Sequence, residues 1–162
     1  MPNTNYPMRK NPRLAGYPYT RPGAYFVTMC TDARRHFFGE VCDESMRLSP
    51  LGVLAHKEFE AAASNYPSVD IDAFVVMPNH VHVILVLHEH PERRPSLSRI
   101  VQFYKTGVTM KARRHVDVVP AVIWQRSFHD HIIRDDVGLS KIREYVQNNP
   151  LRWYLDKFYS EG

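Results

Sequence analysis

Apolar residues recur along this chain with two periods, and the switches between them outline the fold. Val69 to Met77 and His80 to Leu87 are rich in β-branched residues and read as two strands. The tight Pro78-Asn79 turn between them predicts an antiparallel hairpin. Ala24 to Thr31, after Pro22-Gly23, predicts a first strand. Ile123 to Arg126 and Phe128 to Arg134 predict a last strand with its approach. Helical spacing appears in three places. Leu51, Leu54, Ala55, Phe59 and Ala62 follow a Ser49-Pro50 start, and Asn65 and Pro67 end that helix. Leu97, Ile100, Val101, Tyr104 and Val108 follow Pro95-Ser96, with Gly107 a weak point. Asp135 and Asp136 cap a third helix, Val137 to about Asn149, whose stripe is Leu139, Ile142 and Val146 and which Pro150 stops. The order β-α-β-β-α-β followed by α predicts an α+β fold. Its plan is ferredoxin-like or RRM-like: a four-stranded antiparallel sheet with helices on one face, plus the C-terminal helix.

Composition narrows the class. At 162 residues the length predicts one domain over residues 1–162. Residues 1–22 read as an irregular basic and aromatic arm in which Arg9, Lys10, Arg13 and Arg21 interleave with Tyr6, Tyr17 and Tyr19. Such an arm could lie along phosphates and stack on bases. The net charge of +4 supports a nucleic-acid partner only weakly by itself. Cys30 and Cys42 form no metal-ligand or disulfide pattern, which fits a reducing, cytoplasmic setting. No apolar run approaches the roughly 20 residues of a membrane helix, and the first residues lack a signal-peptide core.

Candidate chemistry starts with two histidine pairs. His80 and His82 are two apart on a strand, so they project side by side, as two imidazole ligands of one ion must. His129 and His131 share a face for the same reason, and spacing alone does not choose between the pairs. On the third helix, Tyr145 borders the apolar stripe, and Asn149 lies one turn on, rotated by only about 40°. If that edge faces the His80/His82 strand, the site holds two imidazoles, an amide oxygen and a phenol. A cation bound there would suit a phosphate substrate, and tyrosine is a competent covalent nucleophile.

Three segments carry a resemblance. Pro78-Asn79-His80-Val81-His82, Trp124 to Arg134, and Ile142 to Trp153 with Tyr145 and Asn149-Pro150 resemble the REP-associated tyrosine transposases. These belong to the single-tyrosine HUH transposases of insertion sequences. The likeness spans roughly Tyr17 to Trp153. It implies that His80, His82 and Asn149 hold Mg²⁺ or Mn²⁺ and that Tyr145 is the nucleophile. His129 and His131 fall outside the metal triad. It also implies cleavage and rejoining of single-stranded hairpin DNA, a REP-like palindrome, through a 5′-phosphotyrosine. The expected setting is the bacterial cytoplasm, at the nucleoid, with a monomer favoured over a homodimer and no membrane partner. Hairpin grip is assigned to Arg13, Tyr17, Tyr19, Lys105 and Arg126. Because metal-bound imidazole must be neutral, activity is expected to fall on acidification through the histidine range. Two rival readings are a non-enzymatic RRM-like nucleic-acid binder and another HUH endonuclease, a replication initiator or relaxase.

Overall fold

The computed structural model describes residues 18–90, 92 and 95–161, so Arg13 and Tyr17 lie outside the described residues. In chain order the elements are β1 (Gly23–Cys30), β2 (Gly39–Cys42), β3 (Ser45–Leu48), α1 (Pro50–Asn65), β4 (Val69–Met77), β5 (His80–Leu87), α2 (Leu97–His115), β6 (His129–Ile133) and α3 (Asp136–Gln147). A short irregular turn occupies Asp32–Arg34 and a short 3₁₀ turn Trp153–Leu155. Four strands form one sheet in the order β4-β5-β1-β6, every neighbouring pair antiparallel. That is the expected ferredoxin-like arrangement, with the two ends of the βαββαβ unit brought together.

Strand alternation divides the sheet into two faces. Tyr25, Val27 and Met29 of β1 and Val81, Val83 and Leu85 of β5 pack into the main core under α1 and α2. There Phe59 of α1 stacks on Tyr104 of α2 with ring centroids 4.2 Å apart. The other face carries Ile84, Ile133 and Val146 with Phe26, Leu139 and Ile142, and α3 lies on it. A one-residue slip of β5 would turn His80 and His82 into the main core, so burial of that core fixes the register that exposes both imidazoles to α3.

The helix starts follow the capping signals. Ser49 Oγ accepts from Gly52 N at 3.0 Å, Ser96 Oγ from Arg99 N at 3.2 Å, and Asp135 Oδ1 from Gly138 N at 2.6 Å. Gly107 has a packing reason. The buried Glu58 carboxylate fills the space a Cβ would take and pairs with Lys111 at 2.6 Å.

Two elements differ from expectation. The β2–β3 hairpin has no Asn-Gly signal; Asp43 and Glu44 adopt φ of 48° and 60° to make its turn. The approach segment before β6 is reduced to a single bridge between Thr31 and Trp124. Among the described residues, no helix is long and apolar enough to cross a membrane.

Gly52 sits in the first turns of α1, where alanine is normally the better residue by about 1 kcal/mol. Here a Cβ would collide with the Phe38 carbonyl oxygen. Gly52→Ala is therefore expected to destabilise the protein by about 1–3 kcal/mol in urea unfolding, reversing the helix-propensity order.

Candidate active site

The site begins with the first residues of β5. His80 and His82 are both 0% exposed, and their Nε2 atoms are 3.0 Å apart. Each Nδ1 is held from behind. His80 Nδ1 lies 2.7 Å from Asn79 Oδ1, and Asn79 Nδ2 donates to the Phe158 carbonyl at 2.8 Å. A carbonyl only accepts, so the Asn79 amide orientation is settled, and Oδ1 must receive the His80 Nδ1 proton. His80 Nε2 is then a bare lone pair. His82 Nδ1 lies 2.7 Å from Thr28 Oγ1, its cross-strand neighbour on β1. That hydroxyl can donate or accept, so it permits either tautomer of His82.

The second half of the site comes from α3. Val146 is its one fully buried residue, and Leu139 and Ile142 pack beside it on the sheet. A register shift between Ile71 and Ala73 frees Asp72 from the β4 ladder. Its carboxylate takes Arg143 of α3 in a two-point bond at 2.7 and 2.5 Å. Held this way, α3 turns the Tyr145 ring to 5.3 Å from the His82 ring and edge-on to Phe26 at 6.0 Å. Asn149 follows one turn later and is 1% exposed. The phenol and amide expected to meet the paired imidazoles do so.

Beyond Pro150 the chain doubles back over this cluster. Asp156 Oδ2 accepts from Tyr145 Oη at 2.8 Å and from Asn149 Nδ2 at 2.7 Å, and lies 3.8 Å from His82 Nε2. Asp156 Oδ1 accepts from Phe158 N at 2.7 Å. The Phe158 ring covers the imidazoles, 4.8 Å from His80 and 5.7 Å from His82. Asp156 and Phe158 were not identified from the sequence. They follow a proline, in a segment with no periodic pattern, and only the chain reversal brings them here.

The ionisation states follow from burial. Burial holds the His80 imidazole well below its usual range, aided by the nearby His82 and opposed mainly by Asp156. His82 is lowered for the same first reason, with the Asp156 carboxylate opposing. Asp156 is held far below the ordinary carboxylate range: burial raises it, but the nearby His82 imidazole and hydrogen bonds from the Phe158 backbone, Asn149 and Tyr145 outweigh that. Tyr145 is pushed well above the ordinary phenol range by burial and by its bond to Asp156. The resting site thus pairs neutral imidazoles and a neutral phenol with one carboxylate. Cys30, paired across the strands with His80, is pushed up to about 11 chiefly by burial, so its thiol stays protonated.

This donor set suits a divalent metal ion. His80, His82 and Asp156 offer ligand atoms that all lie within 4.8 Å of one another. Asn149 Oδ1 is buried with no hydrogen-bond partner, an uncompensated oxygen beside the same cluster. Two imidazole nitrogens 3.0 Å apart match neighbouring ligands of one ion at about 2.1 Å from each. The Nδ1 partners Asn79 and Thr28 are the outer support such imidazoles need.

Other residues singled out from the sequence lie elsewhere. His129 and His131 of β6 share the sheet face of the pair, across Thr28 and Phe26 respectively, but stand outside the cluster. Arg126 is exposed in the segment before β6. The Tyr19 carbonyl caps α2 by accepting from Leu97 N, and its ring packs 6.4 Å from Tyr25. Lys105 requires a correction. It is 6% exposed, and its ammonium donates to the Gln125 and Ser127 carbonyls, both at 2.9 Å. It ties α2 to the approach of β6 and presents no free cation to a DNA backbone.

Comparison with known proteins agrees with this geometry. Residues 23–149 match the family described as "Transposase IS200 like". A protein of Haemophilus influenzae (strain Rd) without an assigned function is 34% identical over 93% of this chain and 93% of its own length. A second protein of that organism, provisionally named a REP-associated tyrosine transposase, is 23% identical over 83% of this chain and 73% of its own. The solved structure of a REP-associated tyrosine transposase bound to a REP hairpin has the same fold. It superposes with a TM-score of 0.66 at 20% identity, covering 90% of this chain and 76% of that one. A provisionally named transposase from Deinococcus radiodurans superposes with a TM-score of 0.52 at 17% identity, covering 84% of this chain and 95% of that one. The chain belongs to the IS200-like transposase family.

Proposed function

We propose that this protein cleaves and rejoins single-stranded DNA beside a hairpin, using Tyr145 as nucleophile and a divalent ion, Mg²⁺ or Mn²⁺, held by His80, His82 and Asn149. The observation that carries this reading is the placement of the Tyr145 ring 5.3 Å from the His82 imidazole, next to two Nε2 atoms 3.0 Å apart. A REP-like palindrome is the proposed substrate, because a relative of the same fold is bound to a REP hairpin.

The bound ion would neutralise phosphate charge and orient the phosphorus for in-line attack. Tyr145 Oη forms the new bond to phosphorus, and the bond to O3′ breaks. The phenolic proton passes to water, and the departing O3′ takes a proton to become a 3′-hydroxyl. A 5′-phosphotyrosine remains, and attack by a 3′-hydroxyl reverses the step without an outside energy source. His80 and His82 contribute neutral nitrogen ligands, and Asn79 and Thr28 keep them aimed. Both halves of the site come from one chain, which supports action as a monomer. Arg126, with Arg13, Tyr17 and Tyr19, remains the proposed grip on the hairpin.

In the arrangement described, Phe158 and Asp156 cover the imidazoles and engage the phenol. A sugar-phosphate chain therefore reaches them after the segment from Asp156 to Ser160 lifts. That movement also removes the carboxylate that raises the Tyr145 pKa.

Incubation with labelled hairpin oligonucleotides from the DNA flanking the coding sequence, with and without Mn²⁺, tests the reading. A covalent protein–DNA adduct that needs Mn²⁺ and is lost in Tyr145→Phe is the expected result. Binding without an adduct would instead make this a non-enzymatic nucleic-acid module, and an adduct that survives Tyr145→Phe would reassign the nucleophile. Thr28→Val removes the partner of His82 Nδ1 and is expected to weaken Mn²⁺ binding about 10-fold or more in calorimetric titration.

Acid behaviour has two expected parts. Unfolded histidine titrates near about 6.5, whereas both folded imidazoles titrate lower. Between those values the unfolded chain binds more protons, so stability is full above about pH 6.5 and declines as pH falls below it. Melting temperature in EDTA should show that decline. The acid limb of adduct formation should lie below the ordinary histidine range, because burial keeps the ligands neutral there. This lowers the limb expected from the sequence.

A further inference from the structure

Arg34 lies beside the Phe158 ring that covers the imidazole pair, and its backbone conformation is uncommon. It and Ala33 have φ of 54° and 50°, the left-handed region that residues with side chains seldom adopt. The turn is pinned from both sides. Thr31 N donates to the Asn79 carbonyl at 2.9 Å, and the Thr31 hydroxyl, with one proton to share, lies 2.7 Å from the Arg35 carbonyl and 3.0 Å from that of Asn79. Asp32 N donates to the Ile123 carbonyl at 2.8 Å, and Arg34 N to the Thr31 carbonyl at 3.1 Å. Asn79 is the residue that orients His80, so the position of Arg34 is referenced directly to a metal-ligand candidate. Strain this well supported marks positions where a side chain's aim matters.

The two neighbouring arginines are treated differently. Arg35 pairs with Asp32 at 2.7 Å. Arg34 is exposed and makes no ion pair with a carboxylate among the described residues. Its guanidinium lies 5.4 Å from the centre of the Phe158 ring, with the Lys157 ammonium 5.0 Å from the same centre. That ring covers both imidazoles. The charge of Arg34 is felt at His80, Cys30 and His129. One aromatic ring thus packs against both imidazoles and lies beside both cations.

We propose that Arg34 is a phosphate-binding residue of the active site: when a DNA strand takes the place of Phe158, its guanidinium bonds the non-bridging oxygens of the phosphodiester held at His80 and His82. The inference rests on the metal–phosphate reading of that site. Guanidinium suits the role because its fork matches two phosphate oxygens and it stays charged at any working pH. Charge placed at the reacting phosphate also stabilises the transition state of its transfer.

The test uses the full chain carrying Tyr145→Phe, so that no attack occurs, loaded with Mn²⁺. The probe is the dinucleotide thymidylyl-thymidine, which has one phosphodiester, alongside its uncharged methylphosphonate analogue. Broadening of the probe's ³¹P signal by the bound Mn²⁺ reports phosphorus at the metal site. Arg34→Gln should weaken diester binding about 10- to 100-fold, the loss expected for a charge-assisted hydrogen bond. Arg35→Gln removes the same charge from the same turn and should change it by less than about twofold. Arg34→Lys should retain part of the affinity. The analogue should bind weakly and be indifferent to Arg34→Gln. Equal diester binding with and without Arg34, an equal loss in Arg35→Gln, or no diester broadening in the parent would each overturn the proposal. The adduct assay is separate. A parent chain that forms the adduct while Arg34→Gln leaves both assays unchanged sinks the role of Arg34 and leaves the transferase reading standing.

Discussion

The register of β5 between β1 and β4 is the constraint on which the site depends. Val81, Val83 and Leu85 must enter the main core, and the pleat then sends His80, His82 and Ile84 to the opposite face. Hydrophobic burial, a strong and non-directional force, thereby does a directional job. It holds two imidazoles side by side on the sheet's second face without spending any polar interaction on the placement. Asn79 then selects the tautomer of His80, and Thr28 holds the ring orientation of His82, a finer adjustment on a frame already set.

That division explains which parts of the molecule were legible in the sequence. The imidazole pair could be read because strand period and apolar run length agree at Val75 to Leu87. Tyr145 and Asn149 could be read because helical rotation places them on one edge beside the stripe of Leu139, Ile142 and Val146. Asp156 and Phe158 could not, since no period links them to the site and their contacts come from the chain turning back after Pro150. Lys105 misled for a related reason. A lysine on a helix reads as a solvated cation, and nothing local announces that two backbone carbonyls of a distant segment take its hydrogen bonds. The β2–β3 hairpin escaped because Asp43 and Glu44 accept left-handed backbone angles without the glycine or asparagine that usually marks such a turn.

The electrostatic balance around the cluster is also uneven in an informative way. One carboxylate, Asp156, is surrounded by hydrogen-bond donors. Arg34 and Lys157 supply positive charge close by. Burial keeps both imidazoles uncharged, so they do not add to that positive field. The result is a buried carboxylate beside two neutral imidazoles, with two cations next to the aromatic ring that covers them.

The attachment of α3 differs in kind from that of β5. One fully buried side chain, two partly buried ones and the Arg143–Asp72 pair hold it to the sheet, and that pair is partly open to solvent. Ionic strength screens such a contact and leaves the strand ladder untouched. Rising salt would therefore loosen the helix bearing the phenol while the imidazole pair stayed in register, separating the aim of Tyr145 from the integrity of the strand pair that carries His80 and His82.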